Sequence, residues 1–538
     1  MFQAARRVLA IAALFMASCA PAPSAPAHPA PHLRAEGEAV QFIVDGAPYL
    51  MLAGELGNST ASDRAYLAAR WERLEALHLN TVLAPISWEL IEPEEGKFDF
   101  SSLEFLIEDA RAHDMRLVLL WFGAWKNSMS SYVPAWVKRD SARFPRARTA
   151  DGRALEILSP FSEANQQADA RAFAAMMARL REIDAGRHTV LMVQVENEIG
   201  MIPEARDYSE PANTAFAAPV PGELLSYLAA HRQTLAPALR QRWEANGARA
   251  AGAWEAVFGR GLATDEIFMA WHFARYTEAV AAAGRAAYNL PLFVNAALIR
   301  PGAAPGAYPS AGPLPQVFDV WRAGAPSIDF MAPDIYFPNF VEWARAYDQP
   351  GEAFFIPETG RQPEATPANA FYVFGAHASI GFSPFAIEDY AADELLSSIA
   401  PLILEHQAKG SIAGVRPVVA FDGSVDESRA DVRLGDFILN VRFDDPWTPR
   451  EAQNLAAHGG LIIQLGPEEY LVAGQGITIT FHTEGAIAGI ESIHEGAYID
   501  GAWRPGRLLN GDENHQGRHL RLPPGQFGLQ RVRLYRYS

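Results

Sequence analysis

Eight short apolar runs, separated by stretches with helical spacing, dominate the chain from about residue 38 to 400. They are Tyr49–Ala53, Thr81–Pro85, Leu117–Phe122, Val190–Val195, Leu292–Asn295, Phe330–Ile335, Ala353–Pro357 and Ser379–Ala386. Several are apolar at every position, which suits strands buried on both faces. Between them, Asp63–Leu77 and Ser102–Ala112 each carry one charged and one apolar face, the pattern of a helix lying on a sheet. Strand and helix in alternation signal a parallel sheet with crossover helices, and eight such units predict an α/β fold, a (β/α)₈ barrel. The longest interval between runs, residues 200–290, predicts two helices, Leu239–Val257 and Asp265–Tyr288. Its first part, around Asp207–Pro221, reads as a loop over the barrel mouth.

The pattern changes near residue 412. Phe437–Phe443, Leu461–Gln464, Gly476–Phe481 and Gln530–Tyr535 are short, often alternating and bounded by Gly, Pro, Asn and Asp. They predict an antiparallel β-sandwich over 412–538, behind a catalytic barrel over 38–411.

The N-terminus reads as a targeting segment. Arg6 and Arg7 precede the apolar run Val8–Met16, which is too short to span a membrane. Met16-Ala17-Ser18-Cys19 resembles a bacterial lipobox. The expectation is a lipoprotein-type signal over 1–19, lipidated at Cys19, and an Ala/Pro-rich tether over 20–37. That implies export to the periplasm or outer membrane, with membrane contact only through the anchor. Ordinary signal cleavage beside an incidental cysteine stays open.

Composition removes other classes. A net charge of −18 disfavours nucleic-acid binding, which needs a basic surface. One cysteine allows no disulfide within the chain and no multi-cysteine metal site, and the 14 histidines show no ligand spacing. Neither a P-loop, a dinucleotide glycine fingerprint, His-Glu-x-x-His nor Gly-x-Ser-x-Gly is present. No cofactor and no metal are expected.

Barrel enzymes carry their chemistry just past the C-terminal ends of the strands. The fourth run leads into Glu196-Asn197-Glu198-Ile199-Gly200, and the seventh into Glu358-Thr359-Gly360. A carboxyl group at such a strand end is partly desolvated, which raises its pKa toward what a general acid needs near neutrality. Strands four and seven lie roughly across the mouth from each other. Two carboxyl groups ~5–5.5 Å apart, flanking one glycosidic bond, are the requirement for retaining glycoside hydrolysis. Other residues near strand ends are candidates for the sugar site. Glu55 follows the first strand, Trp88 the second, Trp125 the third; Tyr336 ends the sixth, and Phe385 with Glu388 sits at the end of the eighth. The Tyr336 hydroxyl is placed to hold the Glu358 carboxylate ionised.

The run Gln194-Val195-Glu196-Asn197-Glu198-Ile199-Gly200 closely resembles the acid/base signature of glycoside hydrolase family 35, the β-galactosidases. Asn80–Trp88 with Glu92–Phe100 resembles that family's second-strand motif, and Pro134-Ala135-Trp136 a marker after strand three. The resemblance covers about residues 38–400, and the C-terminal part looks like the β-domain of a bacterial branch. It implies Glu198 as acid/base, Glu358 as nucleophile, and Asn197 as the ligand of the sugar 2-hydroxyl. Pro85 stands where members commonly have Tyr, and Glu89 and Ile91 where they have Asn and His. The Ala-Glu pair that binds the sugar after strand three is replaced by Lys126-Asn127.

The resulting expectation is a retaining, exo-acting β-galactosidase working by double displacement on β-galactoside oligosaccharides. The alternatives are a β-glycosidase or arabinosidase for another sugar, and a non-catalytic glycan-binding lipoprotein.

Overall fold

The computed structural model describes residues 28–37, 39–360, 364–389 and 395–538. The expected leader, Cys19 and the tether through residue 27 lie outside the described residues.

All eight apolar runs become parallel strands, here β1 (Met51–Glu55), β2 (Thr81–Ser87), β3 (Arg116–Lys126), β4 (Val190–Asn197), β5 (Leu292–Ala297), β6 (Phe330–Ile335), β7 (Phe355–Ile356, resumed as Glu358–Thr359) and β8 (Gly381–Phe382). Each pairs with its sequence neighbour, and β8 returns to β1 through Gly381 opposite Met51, so the barrel closes. Pro357 interrupts β7, since proline offers no N–H to a ladder. Phe355–Ile356 pairs with β8, whereas Glu358–Thr359 pairs with β6 and sets Glu358 beside Asp334.

The barrel interior is a packed core of inward side chains, among them Met51, Leu83, Val118, Leu120, Phe122, Met192, Phe293, Phe330 and Phe355. Phe42 and Val44 join this core from a hairpin that precedes β1. That hairpin begins with the strand His32–Glu36, paired to Ala39–Val44. The stretch assigned to the tether therefore includes a strand; Leu33, opposite Phe42, packs against the same core.

Two helices expected as continuous are broken. Asp63–Leu77 divides into Arg64–Ala68 and Trp71–Ala76, and Leu239–Val257 into Pro237–Ala245 and Trp254–Phe258. In the second case Gly247 and Ala248 adopt left-handed backbone in the gap, a conformation that ends a helix. Asp265–Tyr288 becomes part of a single long helix, Leu262–Ala287, which ends one residue short of Tyr288, and the loop expected around Asp207–Pro221 contains the helix Glu210–Ala217.

The C-terminal part is antiparallel. One sheet has six strands, in the order Ile412–Val415, Gly459–Gly466, Glu469–Gln475, Gly528–Tyr537, Ile487–Ile499 and Ala502–Leu509. A second has four, Arg429–Leu434, Phe437–Arg442, Ile477–Thr483 and Leu520–Leu522. Side chains of both sheets, including Phe437, Leu439, Tyr470 and Val532, share one core. The sandwich docks through its first strand on the helix Thr366–Ala376. A Cβ on Gly375 would come within 2.3 Å of the Gly414 nitrogen, so the two glycines permit the close approach.

Candidate active site

The ends of β1, β3, β4, β6 and β7 bring four carboxyl groups and one lysine to the barrel mouth. These are Glu55, Glu198, Asp334, Glu358 and Lys126, all buried. One carboxylate oxygen from each of Glu198, Asp334 and Glu358 lies within 4.8 Å of the other two.

Glu198, the first residue past β4, has left-handed backbone (φ 45°), as does Glu196 inside the strand (φ 64°). Non-glycine residues rarely adopt this region, and the pair turns the chain sharply at Asn197. The neighbouring loop holds the turn. Ser128 N donates to the Glu198 carbonyl at 3.0 Å, Asn127 Nδ2 donates to Glu198 Oε2, and Asn295 Oδ1 accepts the Glu198 N–H at 2.9 Å. Burial, then the charge of Glu358, pushes the Glu198 carboxyl up to about 7, against the opposing pull of Lys126, Asp334 and Asn127.

Glu358 Oε1 accepts a hydrogen bond from the Tyr336 hydroxyl, while Oε2 has no donor among the described residues. Burial and then the adjacent Glu358 charge raise the Tyr336 phenol, so the tyrosine stays a donor. Glu55 is held by its backbone to Pro384 and lies beside Phe385 across an isolated bridge; its Oε1 has no donor among the described residues. Burial and the charge of Glu358 raise its carboxyl well above the ordinary range. Lys126 packs its ammonium 5.0 Å from the Phe122 ring centroid. Burial alone would lower its pKa, but Glu358, Glu198, Glu55 and Asp334 together raise it, so it remains a cation. Asn197 is buried, and neither of its side-chain polar atoms has a partner among the described residues. Buried polar groups without partners are costly, and several converging on one spot mark where a polar ligand completes the bonding.

The mouth thus gathers Glu198, Glu358, Asn197, Tyr336, Lys126, Asn127, Glu55 and Phe385. It does not include the two tryptophans. Trp88 opens the short helix Trp88–Ile91, is fully buried, donates to Glu92 and meets the edge of Trp136. Trp125 is also fully buried, packed against Phe273 and Tyr276, with its indole N–H on the Leu158 carbonyl. The reason is a bulge: pairing passes from Trp121 opposite Val195 to Lys126 opposite Asn197, which turns Trp125 into the layer between sheet and helix. Glu388 accepts from Gly57 N and Thr60 Oγ1, and so braces the loop after β1.

Sequence reasoning missed Asp334 and Asn295. Each is the polar residue closing an apolar run, in Pro333-Asp334 and Val294-Asn295, the same signal that identified Glu198. It also missed a second acid pair behind the mouth. Glu196 Oε2 accepts from Trp125 N at 2.7 Å, and Asp169 accepts from Trp121 Nε1, Ala124 N and Tyr276. Burial, then the charge of Asp169, raises Glu196 well above the ordinary range. A Cβ at Gly123 would fall within 2.8 Å of both acids, so only glycine leaves them room.

A cavity of about 560 Å³ lies elsewhere, between barrel and sandwich, lined by Leu52, Phe371, Phe382, Ile387, His458 and Phe527 among others. None of the mouth carboxyls lines it.

The profile of glycoside hydrolase family 42, described as "Beta-galactosidase", matches residues 59–257, and one described as "Domain of unknown function (DUF5597)" matches 389–521. A protein of Xanthomonas manihotis named "Beta-galactosidase" is 30% identical over 210 residues. That match spans 38% of this chain and 32% of the relative's length. Among solved structures, the β-galactosidase of the psychrophilic Marinomonas ef1 aligns with a TM-score of 0.46 at 12% identity, covering 69% of this chain and 62% of that one. The β-galactosidase of Bacillus circulans sp. alkalophilus aligns with a TM-score of 0.40 at 15% identity, covering 67% and 55%.

The coarser reading stands: residues 59–257 resemble a β-galactosidase-type glycosidase. Family 35, which the strand-end motifs suggested, finds no support, and the family 42 profile fits instead. The Asn-Glu ending of β4 is a feature of the wider clan of barrel glycosidases, so a short motif of this kind does not distinguish one family within it.

Proposed function

We propose that this protein is a retaining, exo-acting β-galactosidase that removes terminal β-galactosyl residues from oligosaccharides. The observation that carries the reading is the approach of Glu198 and Glu358 oxygens to within 4.8 Å at the C-terminal mouth of the barrel. Oxygens this close suit a retaining pair, whose carboxyl groups stand ~5–5.5 Å apart, better than an inverting pair, which leaves ~6.5–9.5 Å for its water. The sugar is taken from the name shared by the matching family profile and the Xanthomonas relative.

In the first half-reaction the Glu358 carboxylate attacks the anomeric carbon. The glycosidic C–O bond breaks as Glu198 gives its proton to the leaving oxygen. The product is a galactosyl ester of Glu358, and Glu198 is left as a carboxylate. In the second half-reaction Glu198 takes a proton from water, the oxygen of that water attacks the anomeric carbon, and Glu358 leaves as a carboxylate. The Tyr336 hydroxyl steadies the Glu358 oxygen it touches. Asn197, Glu55, Lys126, Asn127 and Phe385 surround the sugar.

Hydrolysis of a panel of aryl glycosides, with the first-formed product anomer read by NMR, tests the reading. Preferred cleavage of the β-galactoside with release of β-galactose supports it. Preference for another sugar gives the site to that glycoside, and an α-anomer first product removes the double displacement. Oligosaccharide binding by calorimetry without hydrolysis makes the barrel a binding module. Glu358→Gln should lower turnover on the best substrate by roughly 10³-fold or more, as loss of a covalent nucleophile does.

We also propose that the protein is exported and anchored by lipid at Cys19, a reading that rests on the N-terminal sequence alone. Among the described residues no helix is long and apolar enough to cross a membrane. Metabolic labelling with palmitate, lost in Cys19→Ala, tests the anchor; unlabelled wild-type protein overturns it.

A further inference from the structure

A third carboxyl group at the mouth has no part in the double displacement. Asp334 sits at the end of β6, opposite Glu358 in register, and is 2% exposed. Its Oδ2 accepts from Asn295 Nδ2 at 2.5 Å, and Asn295 Oδ1 in turn accepts the Glu198 backbone N–H at 2.9 Å. Asn295 therefore ties the Asp334 side chain to the backbone of Glu198. An oxygen of each of the two carboxyl groups also lies within 4.8 Å of the other, and each shifts the other's titration as a hydrogen-bond partner does.

Two carboxylates facing each other have no hydrogen between them. Glu198 Oε2 already takes the Asn127 N–H, and Asp334 Oδ2 takes that of Asn295. Their mutual contact needs a proton on one of them. The surroundings decide which. Glu198 has Asn127 as a donor, and the Lys126 ammonium favours its charge. Asp334 Oδ1 has no other donor among the described residues. Asp334 also faces Glu358 from β7, Glu198 from β4 and Glu55 from β1, each disfavouring a further negative charge. Lys126 from β3 feels its charge, as do the neutral phenols Tyr336 and Tyr347 that follow β6. When the pair holds a single proton, it rests on Asp334.

We infer that Asp334 is a positioning residue for the acid/base: a neutral carboxyl group that donates a hydrogen bond to the Glu198 carboxylate and stays protonated through both half-reactions. The inference rests on the proposed roles of Glu198 and Glu358. Its effect falls on the second half-reaction, where Glu198 must exist as a base. A donor to the charged form stabilises that form, and so keeps the buried Glu198 from holding its proton too tightly.

The test is the pH profile of kcat/KM on a β-galactoside with a poor leaving group, which needs the acid, for wild type, Asp334→Asn and Asp334→Ala. In Asp334→Asn the amide oxygen can still accept from Asn295 while the NH₂ group replaces the carboxyl O–H toward Glu198. Its alkaline limb should stay within about 0.3 pH of wild type. In Asp334→Ala the donor is gone, and the limb should move up by about 0.5 pH or more. A downward shift in Asp334→Asn would mean that an anion had been removed, and the inference fails. Coincident limbs in wild type and Asp334→Ala would mean that Asp334 does not act on Glu198, and it fails again.

A second measurement needs no turnover. The infrared carbonyl stretch of a protonated carboxylic acid, taken at pH 8, should appear in the wild type minus Asp334→Asn difference spectrum. Its absence overturns the inference even where a variant is inactive. If the wild-type enzyme cleaves no aryl glycoside, the proposed function fails, while this spectrum still decides the protonation of Asp334.

Discussion

Glu196 and Glu198 stand two residues apart at the end of one strand, both with left-handed backbone and both buried, yet their surroundings are opposite. Glu196 points behind the sheet into a pocket built for it. Trp125 N binds its Oε2, and its partner Asp169 takes bonds from Trp121, Ala124 and Tyr276; Glu196 Oε1 has no donor among the described residues. Glu198 points into the mouth, where Glu358 Oε2, Glu55 Oε1, Asp334 Oδ1 and the Asn197 amide have no hydrogen-bond partner among the described residues. Burial raises both carboxyls. What separates an acid that holds the fold from one poised to react is therefore how far the protein supplies donors: among the described residues four serve the two acids behind the sheet, and three side-chain donors serve the four at the mouth.

The largest expected difference is catalytic. Glu198→Gln keeps the shape and loses the proton, so turnover should fall by about 10²–10⁴-fold on galactosides with poor leaving groups. The loss in the first half-reaction should be small on aryl substrates that leave unaided. Glu196→Gln should stay within about tenfold of wild type, since an amide still donates to Asp169. Steady-state kinetics on both substrate types checks this. Equal losses in the two variants would erase the distinction.

Next comes the pH profile. Glu198 must be protonated to act, and its carboxyl lies near 7. On substrates that need the acid, kcat/KM should fall about tenfold per pH unit above that point. On aryl galactosides with good leaving groups the fall should be weaker. A flat profile to pH 9 on the demanding substrate would remove Glu198 from the role.

Much of this contrast was legible in the sequence, because a strand buried on both faces announces itself and its first polar residue marks the mouth. That reasoning found all eight strands and both ends that carry Glu198 and Glu358. It gave no direction to the side chains. Glu196 and Glu198 look alike in Val195-Glu-Asn-Glu198, and only the left-handed turns send one behind the sheet and the other into the cavity. Trp125 failed for a related reason, since a bulge in β3 has no hydrophobic period and reverses which face a residue takes. Asp169 was invisible because it lies inside an amphipathic helix, Glu163–Asp184, where a single acid reads as part of the solvent face. Asp334 was present as a strand-end acid, but its value depends on Asn295, a contact between neighbouring strands that no local pattern encodes.

Stability should show the reverse order of effects. Truncating Glu196 to Ala leaves Trp125 N and Asp169 without their partner in a closed core, at a cost of about 1–3 kcal/mol. Truncating Glu198 removes one of several crowded acids from a site already short of donors, so the change should be near zero or stabilising. Urea unfolding of the two alanine variants measures both. A Glu198→Ala loss as large as that of Glu196→Ala would mean that the mouth is as well satisfied as the core.

The smallest effect is in how stability varies with pH. Glu196 has a folded-state pKa raised above its ordinary value of 4.5 by burial, and then by the charge of Asp169. Between those two values the folded protein holds a proton that the unfolded chain has released. Stability from this group is thus complete below about pH 4.5 and declines as pH rises toward the folded value. Gln cannot titrate, so the Glu196→Gln urea midpoint should fall less steeply than wild type between pH 5 and pH 8. Glu55 and Asp334 are shifted the same way and still titrate in that variant, so the slope should shrink but not vanish. Parallel curves would mean that Glu196 keeps its charge in the folded core; the four donors around the acid pair would then be balancing two anions, and the contrast with the mouth would have to rest on donor count alone.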